Sequence, residues 1–400
     1  MRKTTAQRLS IAMIGTRGVP ASYGGFETAV EEIGARLADR GHEVVVYCRD
    51  TAAASQREYR GMQLVQLGAL HSRAVETLSH TALSVSHLST HGGADVAFVF
   101  NAANSPFVPL LRARGIPVAV HVDGLEWRRA KWGRGGRTYY RMAESFAVRT
   151  ADALIADAQG IADYYTQEFG AATELLTYGA AVQLNPTANR LPELGLVPGG
   201  FHVAVARLEP ENHVHLIVEG YRASSARLPL IVVGTAPYGA EYISKLKELA
   251  GDDPRIRFVG GVWDQELLDE LYANAYSYLH GHSVGGTNPS LLRAMGAAAS
   301  VIAYDVSFNR EVLGDAGRFF WTPADVAARI EEAELSPELQ LELGDILRAR
   351  AAERYNWDSV TDGYEELARR LAAGYRYEPR GTARNPRSAW SARSESFTNA

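Results

Sequence analysis

The chain has 400 residues, a length that suits two or three domains, with 46% hydrophobic and 22% charged residues, an ordinary globular balance. A formal net charge of −5 argues against nucleic-acid binding by charge, and a single cysteine, Cys48, excludes an intramolecular disulfide. No stretch approaches the roughly 18 apolar residues of a membrane span, and the N-terminus has charge but almost no apolar core, so it reads as a first strand and not a signal peptide. The expected location is cytoplasmic.

In chain order, residues 9–14 read as a strand, followed by the loop G-T-R-G-V-P-A-S-Y-G-G. Phe26, Val30, Ile33 and Leu37 then share one face of a helix, and Gly41 is placed to end it. Residues 43–48 lack polar alternation, as a strand covered on both faces should. Further strands are expected at 64–67, 96–100, 118–121 and 153–156, with helical patterns at about 70–91 and 136–149. Strands alternating with helices imply a parallel sheet.

Prolines and glycines crowd residues 186–200, which read as a linker. Beyond it the alternation restarts. Strands are expected at 201–206, 228–233, 256–259, 276–280 and 300–304, helices at 212–222, 241–250 and 265–273 and from Pro289, then three more helical runs. The expected division is an N-terminal domain over 1–185, a linker over 186–200 and a C-terminal domain over 201–355. A helix at 356–376 would pack back toward the first domain. The Pro-, Ser- and Arg-rich tail, 377–400, has too few core-forming residues to fold.

The segment H-S-V-G-G-T-N-P-S-L-L carries the most chemistry. Gly285 and Gly286 let backbone approach a ligand, Asn288 is a good N-cap, and Pro289 suits the first helical position. A strand, a glycine turn and a capped helix aim free N–H groups at an anion such as a diphosphate. Gly24 and Gly25 end the matching loop of the first half, but G-x-G-x-x-G is absent, which removes the main support for a dinucleotide enzyme. A tight strand-to-helix turn is the bland alternative there.

His121, Asp123 and Glu126 gather just past the strand at 118–121, where an open α/β sheet faces its ligands. The alternative for His121 is a structural histidine. No recognisable ligand spacing supports a metal site. Arg207 follows the strand at 201–206 and suits a forked hydrogen bond to phosphate, or else a surface pair with Glu209 or Glu211. Residues 112–149 hold nine Arg or Lys against three Asp or Glu, interleaved with Trp127, Trp132, Tyr139 and Tyr140. That patch suits an anionic membrane surface or a phosphorylated acceptor, or forms a solvated helix face.

Together, G-T-R-G-V-P-A-S-Y-G-G-F-E-T, H-V-D-G-L-E-W-R-R-A-K-W, R-L-E-P-E-N, H-S-V-G-G-T-N-P-S-L-L and F-N-R-E-V-L resemble the retaining glycosyltransferases of family 4. Within that family they look most like a bacterial subgroup of rhamnosyltransferases and polysaccharide-biosynthesis transferases. The resemblance implies a GT-B fold, two Rossmann-like parallel-sheet domains facing each other across a cleft. It implies a metal-independent reaction without a cofactor, in which a nucleoside-diphosphate sugar is the donor and the anomeric configuration is kept. It places His121 and Asp123 at the reacting sugar. Gly24, Gly25, Arg207, Asn212, Gly285, Gly286, Thr287, Asn288 and Arg293 fall on the donor and its phosphates, and Arg17, Tyr23, Glu126 and Trp127 on the acceptor side.

Two departures accompany it. The family's E-x7-E carboxylates are missing: Arg293 stands at the second position, while the first falls on Ser283, or on Gly285 by strict spacing. Asn212 stands where a phosphate-binding lysine is common. The expected activity is hexosyl or deoxyhexosyl transfer to a saccharide or lipid-linked acceptor, in cell-surface polysaccharide or glycoconjugate synthesis. The rival is a nucleotide-sugar binder that has lost catalysis. The expected partners are the donor, the acceptor and the inner face of an anionic membrane, and no nucleic acid.

Overall fold

Nearly unbroken apolar runs make strands that must be covered on both faces, and helices of the connecting segments cover them. A computed structural model describes residues 7–21, 24–50, 56–70, 75–122, 124–129, 132–235 and 240–377. Its first half contains β1 (Ser10–Ile14), α1 (Gly25–Asp39), β2 (Glu43–Arg49), β3 (Glu58–Tyr59), β4 (Met62–Leu67), α2 (Glu76–His91) and β5 (Val96–Phe100). It continues with α3 (Val108–Ala113), β6 (Val118–His121), α4 (Arg134–Thr150), β7 (Ala153–Ala156), α5 (Gln159–Phe169) and β8 (Glu174–Leu175). The sheet order is β3-β4-β2-β1-β5-β6-β7-β8, parallel except for the β3–β4 pair.

The second half contains β9 (His202–Val205), α6 (Val214–Ala223), β10 (Leu230–Val233), α7 (Ala240–Ala250), β11 (Ile256–Gly260), α8 (Gln265–Asn274) and β12 (Ser277–His280). Then come α9 (Pro289–Gly296), β13 (Val301–Tyr304), α10 (Ser307–Leu313), β14 (Arg318–Phe320), α11 (Pro323–Leu335), α12 (Pro337–Arg354) and α13 (Trp357–Ala372). Its sheet is parallel throughout, in the order β11-β10-β9-β12-β13-β14. Strand order reverses between β1 and β5 in one sheet and between β9 and β12 in the other. Open α/β sheets bind ligands outside the carboxyl ends at such points.

Several elements differ from the sequence expectation. Strands β3, β8 and β14 were not foreseen, because two or three residues carry no periodicity. The helix expected from residue 70 begins at Glu76, with 71–74 outside the described residues. Helix α6 starts at Val214, since Pro210–Asn212 form a separate tight turn and His213 has φ +45°. Four helices follow β13 instead of three, the extra one being the seven-residue α10.

The segment read as a linker is docked. The buried carboxylate of Glu270 on α8 accepts the Thr187 hydroxyl at 2.7 Å and the amides of Asn189, Arg190 and Leu191 at 2.9, 2.7 and 3.2 Å. Those donors hold 187–191 against the second domain, an arrangement that proline and glycine counting does not reveal.

Helix α13 returns to the first domain. Tyr364, Leu367 and Leu371 are buried, each worth about 1.5–3 kcal/mol in apolar transfer. Around them Arg40 pairs with Asp362 and Glu365 at 2.8 and 2.9 Å, and Arg370 with Glu174 at 2.9 Å. The tail from 378 lies outside the described residues. Among the described residues no helix is long and apolar enough to cross a membrane.

Candidate functional site

The loop between β12 and α9 is shaped by its own residues. Gly285 has φ +124°, a conformation L side chains rarely adopt. Asn288 caps α9, its Oδ1 accepting the Ser290 amide at 3.0 Å and the Ser290 hydroxyl at 2.7 Å. Pro289 follows at the first helical position, where its missing N–H costs nothing. Ser283 anchors the other end, its amide and hydroxyl donating to the Glu211 carbonyl at 3.1 and 3.0 Å.

This loop touches three segments at the carboxyl edge of the first sheet. Thr287 donates its hydroxyl to the Asp157 carbonyl at 2.6 Å. A Cβ on Gly124 would lie 2.4 Å from the Gly285 carbonyl carbon, and one on Gly286 2.1 Å from Asp157 Oδ1. A Cβ on Gly25 would lie 3.1 Å from Pro289 Cγ. The glycines on both sides therefore permit a close approach of the two domains.

On the first-domain side, His121 ends β6 and is fully buried. Its Nδ1 lies 3.1 Å from the Tyr364 hydroxyl, and its Nε2 has no partner among the described residues. Phe26 and Phe100 pack on the ring at 5.0 and 5.5 Å. Burial pushes the imidazole down to about 3, so it is neutral at physiological pH. Glu126, also buried, accepts from Arg129, and Arg129 reaches Glu211 of the second domain at 3.8 Å. Trp127 lies under the guanidinium groups of Arg128 and Arg141, 5.2 and 5.0 Å from its ring.

Gly24, φ +111°, precedes α1. The Arg17 amide donates to Glu27 at 3.0 Å, and burial raises the Glu27 carboxyl against that bond. Asp123 and Tyr23 lie outside the described residues.

On the second-domain side, Arg207 follows β9 and sits 3.4 Å from Glu209, so the anticipated surface pair is present. The buried Asn212 donates to the Arg207 carbonyl at 2.8 Å and thereby shapes that loop. His280 and His282 stack at 4.4 Å, and burial drives both imidazoles to the neutral form, His280 to about 3. Arg207 and Arg129 add to the effect on His282. Arg293 is engaged by α8. Its Nε donates to Asp269 at 2.7 Å, its Nη atoms to Gln265 at 2.9 and 3.0 Å, and its guanidinium lies 5.6 Å from the Tyr272 ring. It ties α9 to α8.

Four groups escaped the sequence reading as site residues: Asp157, Glu211, His280 and His282. Asp157, Glu211 and His280 are buried and His282 is partly so; Asp157 Oδ1, His280 Nε2 and His282 Nδ1 have no hydrogen-bond partner among the described residues, and Glu211 Oε1 has only the ion pair with Arg129 at 3.8 Å. Unpaired buried polar atoms cost free energy, so these groups and His121 Nε2, at two facing sheet edges, form the candidate site. The available signal was positional, since Asp157 and His280 stand at strand ends. Among the described residues, no group of three or more His, Cys, Asp or Glu could hold a metal ion.

Two parallel α/β domains with facing carboxyl edges define the GT-B fold. Residues 199–350 match the family described as "Glycosyl transferases group 1", and residues 8–181 match one described as "Domain of unknown function (DUF1972)". Sucrose-phosphate synthase from Thermosynechococcus elongatus superposes with a TM-score of 0.80 at 20% identity, over 92% of this chain and 100% of that one. HepE of Anabaena, solved in complex with UDP-glucose, superposes with a TM-score of 0.72 at 17% identity, over 90% of this chain and 100% of that one. The O-antigen chain mannosyltransferase B of Escherichia coli is 25% identical over 169 residues, 40% of this chain and 44% of that protein. The chain thus aligns with less than half the length of that relative.

Proposed function

We propose that this chain is a retaining, metal-independent glycosyltransferase of the family 4 type. It moves a hexose or deoxyhexose from a nucleoside-diphosphate sugar to a saccharide or lipid-linked acceptor in cell-surface polysaccharide or glycoconjugate synthesis. The observation that carries the reading is the capped turn at 285–289, set among polar atoms of both domains that lack hydrogen-bond partners, His121 Nε2, Asp157 Oδ1 and His280 Nε2 among them. The match of the second domain to group 1 glycosyl transferases and the relative that builds O-antigen chains support it.

In the proposed step the anomeric C–O bond to the diphosphate breaks, and the acceptor oxygen bonds to the same face of the anomeric carbon. The acceptor's proton passes to the leaving phosphate oxygen, so no glycosidase-like carboxylate pair is required. Arg207 and the amino end of α9 meet the charge that develops on the diphosphate. Neutral His121 offers Nε2 to a hydroxyl of the transferred sugar. Gly24, Gly25 and Asp123 border the donor, and Arg17, Tyr23, Glu126 and Trp127 the acceptor.

The acceptor side also suits a membrane surface. Arg134, Arg137, Arg141 and Met142 are exposed along α4, and Arg128 is exposed just before it. We assign peripheral contact with an anionic inner membrane face to 112–149.

The test is nucleoside-diphosphate release from UDP-, dTDP- and GDP-sugars, with and without membrane lipid extract. Release from one donor, increased by lipid, is expected. No release from any donor, with no thermal stabilisation by any of them, would overturn the reading.

A further inference from the structure

Asp157 immediately follows β7 and bears on the β12–α9 loop twice. Its carbonyl accepts the Thr287 hydroxyl at 2.6 Å, and its Oδ1 lies where a Cβ on Gly286 would come within 2.1 Å. The residue is 6% exposed, and Oδ1 has no hydrogen-bond partner among the described residues. A carboxylate anion with no cation beside it and one oxygen unpartnered is costly to bury, whereas a carboxylic acid packed on a glycine backbone costs far less.

We infer that Asp157 is a positioning residue that seats the 285–288 turn against the first domain as a neutral acid, and so makes closure of the two domains sensitive to pH. The inference rests on the proposed function only in taking that turn as the donor loop.

Apart from its own backbone amide, which favours the anion, the groups facing Asp157 supply no positive charge. Glu311 on α10 is a carboxylate whose Oε1 is engaged by the Gln159 amide at 3.1 Å, and its charge disfavours a second anion nearby. Tyr364 on α13 is a buried phenol whose hydroxyl lies 3.1 Å from the neutral His121. Gly286 and Thr287 of the loop carry no charge. Burial pushes the Asp157 carboxyl up from 3.8 to about 8, against the pull of its own backbone amide and with a further contribution from Glu311.

The sign follows from linkage. In the open state water reaches the carboxyl and its ordinary value near 3.8 returns. Closure then takes up a proton at any pH between about 4 and about 8. The closed state is fully favoured below that window and loses up to about tenfold in population ratio per pH unit across it. Above the window the dependence levels off.

The experiment measures the radius of gyration by small-angle X-ray scattering from pH 6 to 9, with circular dichroism as a folding control. It needs no turnover, so it stands even if the transferase reading fails. The wild type is expected to expand as pH rises, and Asp157→Asn, a neutral isostere, to stay compact throughout. Thr287→Val, which removes the tie to the Asp157 carbonyl but leaves the carboxyl, should expand at lower pH than the wild type. Where a donor has been found, its apparent affinity should fall up to about tenfold per unit to pH 8 in the wild type and remain flat in Asp157→Asn. An Asp157→Asn protein with the wild-type pH profile, or a wild type compact at every pH, would overturn the inference. Should Asp157→Asn not fold, an unshifted profile in Thr287→Val would do the same.

Discussion

The two facing sheet edges are built on different principles. The second-domain edge is a backbone device: a glycine with φ +124°, an asparagine cap and a proline set the turn and the start of α9 within a few residues. The first-domain edge is assembled from distant side chains. His121 is held by Tyr364 from 243 residues away, and Asp157 presses on a loop 130 residues ahead. A backbone device can hold a diphosphate with little help. The side-chain edge takes its shape from contacts with both α13 and the second domain.

The sharpest way to break that division is steric. Gly124 lies flat on Gly285, and an added Cβ would sit 2.4 Å from a backbone carbon that cannot turn aside. Gly124→Ala is therefore expected to hold the domains apart and lower transfer by at least about a hundredfold, a barrier increase of about 2.7 kcal/mol. Its melting temperature should stay near that of the wild type, because neither sheet is disturbed. Transfer within a fewfold of wild type would show that closure is not required.

A smaller effect is expected at His121. Removing its Nε2 from the sugar should lower turnover by about ten- to a hundredfold, with donor affinity changed less. The buried ring also packs on Phe26 and Phe100, so the comparison must include thermal melting. A loss of stability with normal turnover per folded molecule would make His121 a core residue only.

The smallest effect belongs to Arg293. Its partner Asp269 is 43% exposed, and screened pairs of this kind are worth about 0–1 kcal/mol. Arg293→Gln should leave donor affinity and turnover within about twofold of wild type and cost little stability. A large change in turnover would bring Arg293 back to the donor site, where its place in the motif had put it.

The fold was legible because its signals are local. Unbroken apolar strands, 3.6-residue helical faces and turn glycines lie within a few positions of one another, and they marked most of both sheets. The 285–289 turn was equally legible, since cap, proline and glycine act on their own neighbours. The docking of 187–191 was not, because the organising carboxylate, Glu270, lies some 80 residues further on. The contacts of Arg293 were hidden for a related reason: its position on α9 is a matter of sequence, but its partners, Asp269 and Gln265, lie on α8.

By itself, then, the sequence determined two parallel α/β halves, their glycine turns and the capped helix, all of which follow from short-range backbone preferences. Only the tertiary structure decided that burial lowers the imidazoles of His121, His280 and His282 and raises the Asp157 carboxyl, and that these groups stand at two facing sheet edges. Protonation depends on burial and on neighbouring charge, and both come from contacts between residues far apart in the chain.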